Sequence, residues 1–290
     1  MLCRICNSDK SRLLFRKLEL EYYQCQICKN IFIGNNYAVA EIKRFYDYYS
    51  SNYDDLIIEN SLGLLKKTYA KILDIIEKYR QTNNILDIGA GRGHFMKDAQ
   101  ERGWNVFGTE FSESAYNIGK KSGLNLYLGD ISEINFSNGM FDAVTLWEVL
   151  EHCYCPSENL KVINKILRMG GAVFITTPNY NSLTRRIVGK HWCVFQREHL
   201  SIFKTFGLKY ILNKYYFHPA RVVTENISLG EISSFFINNK ADGIDCDQNL
   251  RKIMDSRFYF RCLKVFSNYL LNAIGCGDTI KAIFVKVKDI

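Results

Sequence analysis

The chain of 290 residues is long enough for one large domain and a small one, and its 47% hydrophobic residues can bury a substantial core. Lysine and arginine outnumber aspartate and glutamate by 38 to 30, but the excess is scattered, so the charge permits an anionic partner without demanding nucleic acid. The first residues show no secretory pattern, and no apolar run is long enough to span a membrane. We therefore expect a cytoplasmic protein whose 10 cysteines are thiols or metal ligands.

Four cysteines form two Cys-x2-Cys pairs near the start of the chain: Cys3, Cys6, Cys25 and Cys28. Each pair can direct two thiolates at one ion, and two pairs complete a tetrahedron. A closed four-sulfur site has no open position for a substrate, so the pattern predicts a structural Zn²⁺ in a ribbon of residues 1–34. We expect aromatic side chains to attach this ribbon to the rest of the chain: Phe15, Tyr22, Tyr23 and Phe32.

The next segment, residues 35–83, is predicted to be a helical linker region, with a short helix and loop at 37–60 and an apolar helical stripe at 62–79. From residue 84 onwards short apolar runs alternate with helical stretches, which predicts βαβ units and an α/β domain over 84–290. The predicted strands are 85–88, 105–109, 125–128, 141–146 and 172–176, with 221–227 and 280–287 extending the sheet. Residues of about 229–279 would then be an insertion.

The segment ILDIGAGRGHF at 85–95 takes a predicted strand into Gly89, Gly91 and Gly93 and then a helix. Glycines at such a turn let the backbone approach a nucleotide closely. A dinucleotide fingerprint would place the third glycine one residue later, and Asp87 would set a negative charge beside any phosphate. S-adenosylmethionine carries an ammonium group and no phosphate, so the segment favours this cofactor over NAD.

Two further carboxylates follow the next predicted strands. Glu110 ends the second strand, where a carboxylate can accept hydrogen bonds from both ribose hydroxyls. Asp130 follows the third strand, where it could accept one from an adenine amino group. Together with the glycine turn, these positions predict a nucleoside site at the carboxyl edge of the sheet.

The segments LDIGAGRGHF, VFGTEFSESA, YLGDISEI and FDAVTLWEVLEHCYCP resemble the ordered motifs of class I S-adenosylmethionine-dependent methyltransferases, especially the branch with ubiquinone-type O-methyltransferases and bacterial glycan and small-molecule enzymes. The resemblance covers about residues 84–210. It implies a Rossmann-like sheet of seven strands with helices on both faces and one antiparallel strand from the C-terminal segment. It implies that the methionine end is bound by Asp87, Gly89, Gly91 and Gly93, the ribose by Glu110 and the adenine by Asp130, with Trp147 and Glu148 beside the sulfonium.

A long polar loop after the fifth predicted strand contains Glu198 and His199, and long loops at that edge of a sheet are usually functional. The pair resembles the Glu-His of zinc-ribbon-bearing sugar C-methyltransferases, which implies that His199 is a base and that Glu198 helps to orient it. Those enzymes have an extra C-terminal domain that this sequence lacks, and a histidine base suits O-methylation equally. The alternative is a histidine that only supports the loop.

The string WEVLEH offers a second set of candidates, Glu148, Glu151 and His152, which would share one face if the segment began a helix. It resembles the metal-binding segment of ubiquinone-pathway O-methyltransferases, which implies a second divalent metal that lowers the pKa of an acceptor hydroxyl. The alternative, which we prefer, is that these residues only shape the pocket.

These features predict a methyltransferase acting on a small-molecule or sugar/glycan-precursor acceptor, by O-methylation or, alternatively, C-methylation. An RNA methyltransferase is disfavoured because no Asn-Pro-Pro-Tyr-like string, which holds a flipped base, follows the fourth strand. A non-enzymatic zinc-ribbon binding module is disfavoured by the intact glycines and acids. Residues 257–275 predict an amphipathic helix, either a lid over the crevice or a peripheral membrane contact.

Overall fold

The computed structural model describes residues 1–34, 55–237 and 258–290. The helix start predicted near residue 37 and part of the predicted insertion therefore lie outside the described residues. The N-terminal segment forms an antiparallel meander of β1 (Ser11–Lys17), β2 (Leu20–Cys25) and β3 (Ile31–Ile33). The first Cys-x2-Cys pair precedes β1, and the second lies at the end of β2 and in the turn before β3.

The larger part of the chain begins with α1 (Asp55–Ile76) and then alternates strands and helices. Its first half contains β4 (Asn84–Ile88), α2 (His94–Glu101), β5 (Asn105–Glu110), α3 (Glu113–Lys121), β6 (Leu126–Leu128), β7 (Phe141–Trp147), α4 (Pro156–Ile166) and β8 (Leu167–Pro178). Its second half contains α5 (Leu183–Val188), β9 (Ser201–Ile202), α6 (Thr205–Lys214), β10 (Phe217–Glu225), α7 (Leu229–Ile237), α8 (Phe258–Ala273) and β11 (Thr279–Lys286). Every predicted strand is present, although β8 begins five residues before its predicted start.

Seven strands form one sheet in the order β10-β11-β8-β7-β4-β5-β6. All neighbours are parallel except around β11, which runs antiparallel to both β8 and β10. The predicted fold is thus confirmed, including the antiparallel strand supplied by the C-terminal segment. Because Asp87 lies opposite both Gly108 and Thr145, the carboxyl ends of β4, β5 and β7 meet at one edge.

The helix α1 packs on one face of this sheet. Its residues Leu73 and Ile76 are fully buried in a cluster with Phe95 of α2 and Phe174 of β8. The apolar stripe predicted for 62–79 therefore contacts the core. The domain boundaries predicted from the sequence stay predictions.

The N-terminal meander continues into the loop that follows β8. Strand β9, which belongs to that loop, pairs antiparallel with β3, and the Ile33 amide donates to the Leu200 carbonyl at 3.0 Å. The side chain of Asn30 accepts a hydrogen bond from the Lys204 amide at 2.9 Å. The ribbon and the loop are therefore one four-stranded sheet, β1-β2-β3-β9.

The predicted amphipathic helix is present as α8, and two of its polar side chains bind the end of β10. The side-chain oxygens of Asn268 and Asn272 accept hydrogen bonds from the amides of Asn226 and Thr224, each at 2.9 Å. These bonds fix α8 to the end of β10, while apolar side chains on and just after the helix are exposed: Val265, Phe266, Tyr269, Leu270 and Ile274. None of the described helices combines the length and apolarity needed to cross a membrane.

Candidate functional site

The turn after β4 is built on three glycines with positive φ: Gly89 at 68°, Gly91 at 56° and Gly93 at 80°. A Cβ on Gly93 would lie 2.0 Å from a methyl group of Leu124, so this glycine lets α2 pack closely. A Cβ on Gly91 would meet no atom within 4 Å, so its backbone faces open space. The turn therefore leaves room for a ligand at its centre, as the sequence predicts.

The Glu110 carboxylate fixes this turn from the neighbouring strand. It accepts hydrogen bonds from the amides of Gly91, at 2.7 Å, and Ser112, at 2.8 Å. Only 9% of the residue is exposed. The structure thus places Glu110 against the glycine turn, at the end of β5. Its ribose contact stays a prediction.

Asp87 is buried at the carboxyl end of β4. Burial raises its pKa to about 7, although the hydroxyl of Thr145 donates to the carboxylate at 2.6 Å and opposes that shift. A nearby cation would stabilise the ionised form of this buried carboxylate, and the ammonium group of a ligand would supply that cation. The sequence analysis did not identify Thr145. The available signal was a hydroxyl residue within the apolar run of β7, and in the structure it lies opposite Asp87.

The adenine candidate, Asp130, lies at the start of a short 3₁₀ turn, Ile131–Glu133. One carboxylate oxygen accepts from the Ser132 amide at 2.9 Å, and the other accepts from the side chain of Asn159 at 3.3 Å. The turn holds this carboxylate in place after β6. Its contact with adenine stays a prediction.

Trp147 ends β7 and Glu148 follows it, between the strands that carry Asp87 and Thr176. The indole of Trp147 packs against Phe174 and Tyr69, with ring centroids 4.5 and 4.9 Å away, and its buried N–H has no acceptor among the described residues. Glu148 is exposed to solvent, yet the protein around its carboxyl group raises the pKa of that group by desolvation.

These side chains fit S-adenosylmethionine. Asp87 offers a negative charge for its ammonium group, Gly91 offers open backbone, and the indole N–H of Trp147 is an unused donor. The structure brings all of the predicted cofactor residues to the carboxyl edge of the sheet or to the turns that follow it.

The segment with Glu148, Glu151 and His152 does not form the helix that a shared metal-binding face would require. Residues 148–152 form a turn, and the next helix begins only at Pro156, so Glu148, Glu151 and His152 do not share a helical face. Glu148 has a φ of 52°, which a right-handed α-helix does not allow. The potential ligand atoms that lie within 4.8 Å of one another belong instead to Glu151, His152 and His199.

The two histidines face each other, with ring centroids 4.7 Å apart. The Nδ1 of His152 lies 3.0 Å from the Glu198 carbonyl, and that of His199 lies 2.7 Å from the Val194 carbonyl. Because a carbonyl oxygen can only accept, each Nδ1 carries the hydrogen and each Nε2 carries the lone pair. The loop after β8 therefore presents His199 beside the turn after β7.

Burial controls the charges of this cluster. It lowers the pKa of His152 to about 3 and lowers that of His199, so both imidazoles are neutral at pH 7. Burial, followed by the charge of Glu148, raises the pKa of Glu151 well above its usual range. Neither oxygen of Glu151 has a hydrogen-bond partner within normal geometry among the described residues. One carboxylate and two neutral imidazoles form a donor set that suits a divalent metal.

The predicted partnership of Glu198 with His199 has a different geometry in the structure. It is the backbone carbonyl of Glu198 that contacts a histidine, and that histidine is His152. The Glu198 side chain acts on His199 through its charge, which raises the pKa of the imidazole against the effect of burial. Both catalytic assignments stay predictions.

The four N-terminal cysteines are buried together as thiols. The Sγ atoms of Cys3 and Cys28 are 3.8 Å apart, and those of Cys6 and Cys25 are 3.5 Å apart. Zn–S bonds of about 2.3 Å in a tetrahedron would separate the sulfurs by about 3.8 Å. Hydrogen bonds with Cys28 and Cys3 lower the pKa of Cys6, while hydrogen bonds with Cys3 and Cys6 raise that of Cys28, so the first thiolate of the group forms at Cys6. These residues fit a closed zinc site.

A family model described as a methyltransferase domain matches residues 62–219 of the chain. The chain is 31% identical over 104 residues to a ubiquinone biosynthesis O-methyltransferase of Pseudomonas aeruginosa strain UCBPP-PA14. It is 34% identical over 104 residues to the enzyme of the same name from Dechloromonas aromatica strain RCB. Each alignment covers 33% of this chain and 45% of the relative, so the chain spans less than half the length of these curated relatives.

Solved structures share the fold at lower identity. A SAM-dependent methyltransferase from Archaeoglobus fulgidus superposes with a TM-score of 0.55 at 17% identity, covering 80% of this chain and 100% of the other. Phosphoethanolamine N-methyltransferase 2 of Haemonchus contortus, solved in complex with S-adenosyl-L-methionine, gives 0.58 at 17% identity and covers 89% and 62% of the two chains. At this identity the likeness describes the fold.

Proposed function

The chain belongs to the class I S-adenosylmethionine-dependent methyltransferases, and we propose that it methylates an oxygen of a small-molecule or sugar acceptor. The ubiquinone O-methyltransferases that it resembles carry the same chemistry in their name, although only over part of their length. C-methylation of a sugar is the second candidate, because a histidine base serves both reactions.

The observation that supports a base-assisted methyl transfer best is the position of His199 beside His152 and Glu151, next to the turn that contains Glu148. Bound S-adenosylmethionine supplies a methyl group already activated on a sulfonium. The protein must therefore orient the acceptor and, for a hydroxyl, accept its proton. A neutral imidazole with its lone pair on Nε2 can do so at pH 7.

Asp87 and the glycine turn would hold the methionine end of the cofactor, Glu110 its ribose and Asp130 its adenine. The indole of Trp147 and the carboxyl of Glu148 would border the cleft at the reacting end. The acceptor would then bind next to the loop that carries His199. Trp147 ends β7 and this loop follows β8, and the carboxyl ends of these parallel strands lie at the same edge of the sheet.

A divalent cation held by Glu151, His152 and His199 is the second possible role for the cluster. A cation there would ionise Glu151, whose oxygens have no other described partner, and would lower the pKa of a coordinated hydroxyl. The base and metal roles predict different responses to chelation. Only the metal role requires chelators to stop turnover while the zinc of the ribbon stays bound.

The N-terminal ribbon would bind one structural Zn²⁺ through Cys3, Cys6, Cys25 and Cys28. Its strand β3 pairs with β9, two residues beyond His199, so the folded ribbon would hold the acceptor loop in position. Zinc would then support catalysis by fixing the loop, without touching the substrate.

The test is turnover of labelled S-adenosylmethionine with cell extracts separated into small-molecule, sugar-nucleotide, lipid and nucleic-acid fractions. We expect label in the first or second fraction, and label in nucleic acid would reject the proposal. With the acceptor identified, His199→Ala should lower kcat by about 10²–10⁴-fold and leave cofactor affinity unchanged. Near-normal turnover of this variant would limit the loop histidine to a structural role. His152→Ala is the matched control, with a smaller loss unless a metal is bound.

A further inference from the structure

Beyond the cleft, two cations lie on one aromatic ring, and we infer that Tyr180, Arg185 and Lys204 form a binding site for a phosphate group of the acceptor. The guanidinium carbon of Arg185 is 4.3 Å from the centre of the Tyr180 ring, and the Lys204 ammonium is 5.0 Å from it. This inference rests on the proposed function for the identity of the phosphate carrier, but the site itself is independent of the cofactor site.

Neither Arg185 nor Lys204 forms an ion pair with a carboxylate of the described residues. Burial lowers the pKa of Arg185 and of Lys204, and no carboxylate is among the groups that shift either value. The Nε of Arg185 is buried and has no acceptor among the described residues. A buried guanidinium N–H without an acceptor is costly, so the site is incomplete without an anion.

The surroundings increase the positive charge. Arg185, Arg12 and Lys29 each act on Lys204 and lower its pKa further. Arg12 and Lys29 belong to the ribbon, and the side chain of Asn30, next to Lys29, fixes the Lys204 backbone. The ribbon and the acceptor loop therefore both add positive charge around Lys204.

The site lies on the same loop as the candidate base. The Tyr180 amide donates to the Phe203 carbonyl at 2.8 Å, and the Tyr180 ring is 6.4 Å from the ring of Phe195. The residue before Phe195 is Val194, whose carbonyl contacts His199. A phosphate bound at Tyr180 would therefore lie against the same packed segment that positions His199.

A phosphate group fits these donors better than a single carboxylate. Guanidinium offers paired planar N–H groups, and an ammonium adds donors that rotate to a further oxygen. Two uncompensated charges also match the two charges of a phosphate monoester or a diphosphate. A sugar nucleotide and a lipid phosphate share this chemistry, so the experiment must distinguish them.

The full-length protein would be titrated at constant ionic strength with uridine diphosphate, with inorganic phosphate and with vesicles containing phosphatidic acid. We expect saturable binding of either the nucleotide or the vesicles, which identifies the carrier. Lys204→Gln and Arg185→Gln should each weaken that binding by about tenfold or more. Arg186→Gln, which removes an exposed charge from the same helix, is the control and should change it little.

Two results would overturn the inference: no binding of any of the three probes, or equal binding by wild type, Arg185→Gln and Lys204→Gln. A loss in Arg186→Gln as large as in the two site variants would also overturn it, because it would indicate general charge attraction. Lys204→Gln keeps the test available if Arg185→Gln does not fold. Binding of S-adenosylhomocysteine, measured in parallel, should be unchanged in every variant. Its absence in wild type would instead reject the proposed function.

Discussion

The pKa of Asp87 predicts how cofactor affinity depends on pH. In the ligand-free protein burial raises this pKa to about 7, whereas an ordinary aspartate titrates near 3.9. An ammonium group binds the ionised form, so at lower pH the cofactor must first displace a proton. Affinity should be nearly constant above pH 8 and fall about tenfold for each pH unit below 7.

The magnitude follows directly from the shift. Between pH 8 and pH 5.5 the dissociation constant should rise about 30-fold, which is about 2 kcal/mol of binding free energy. The assay is calorimetric titration with S-adenosylhomocysteine, which keeps the ammonium group, in buffers of different ionisation enthalpy that report proton release. Asp87→Asn should bind more weakly at pH 8 and show no such pH dependence. A flat profile for wild type, or an unchanged slope in Asp87→Asn, would refute the reasoning.

The same carboxylate affects stability in the opposite sense. Because the folded pKa of Asp87 exceeds the unfolded one, ionisation between about pH 4 and pH 7 destabilises the ligand-free fold. Replacement by Asn should therefore raise the melting temperature at pH 8 while weakening cofactor binding. Such an exchange of stability for function is typical of a binding site.

Elemental analysis of reduced protein should find one zinc per chain, and Cys25→Ser should release it; metal-free wild-type protein would contradict the zinc assignment. Asp142 is fully buried and accepts from the amides of Gln81 and Asn83 and from Arg168, at 2.7, 2.7 and 2.6 Å. Asp142→Ala should cost about 3–5 kcal/mol in urea unfolding. Those donors overcome burial and lower its pKa, so the cost should shrink only as pH falls below about 4. The exposed apolar side chains of α8 predict that the protein floats with liposomes in a density gradient. Protein that stays at the bottom of the gradient would reject the hypothesis of a membrane contact.

The cofactor side of the site could be predicted from the sequence because its information is local. A buried strand, a glycine turn and a helix follow one another within a few residues, and each acid stands at the end of its own strand. Parallel strands bring those ends to one edge whatever the details of packing. The structure brings Asp87, Gly91 and Glu110 to the same edge, while their partners from other segments, such as Thr145, were not identified from the sequence.

The acceptor side depends on contacts between distant segments, which no local pattern specifies. The spacing of Glu148, Glu151 and His152 would place them on one face only if a helix began there, but the chain turns at Glu148 and no helix forms. The partner of Glu151 and His152 is His199, from a loop more than 40 residues later.

What the sequence determined by itself was the alternation of strands and helices, the closed set of four cysteines and the glycine turn, because periodicity and short-range spacing encode them. Only the tertiary structure decided that β9 joins the ribbon, that His199 faces His152, and that Arg185 and Lys204 share the ring of Tyr180. The physical reason is that these contacts form when separate segments bury apolar surface against each other, and burial then sets the charges and the open hydrogen-bonding positions that chemistry can use.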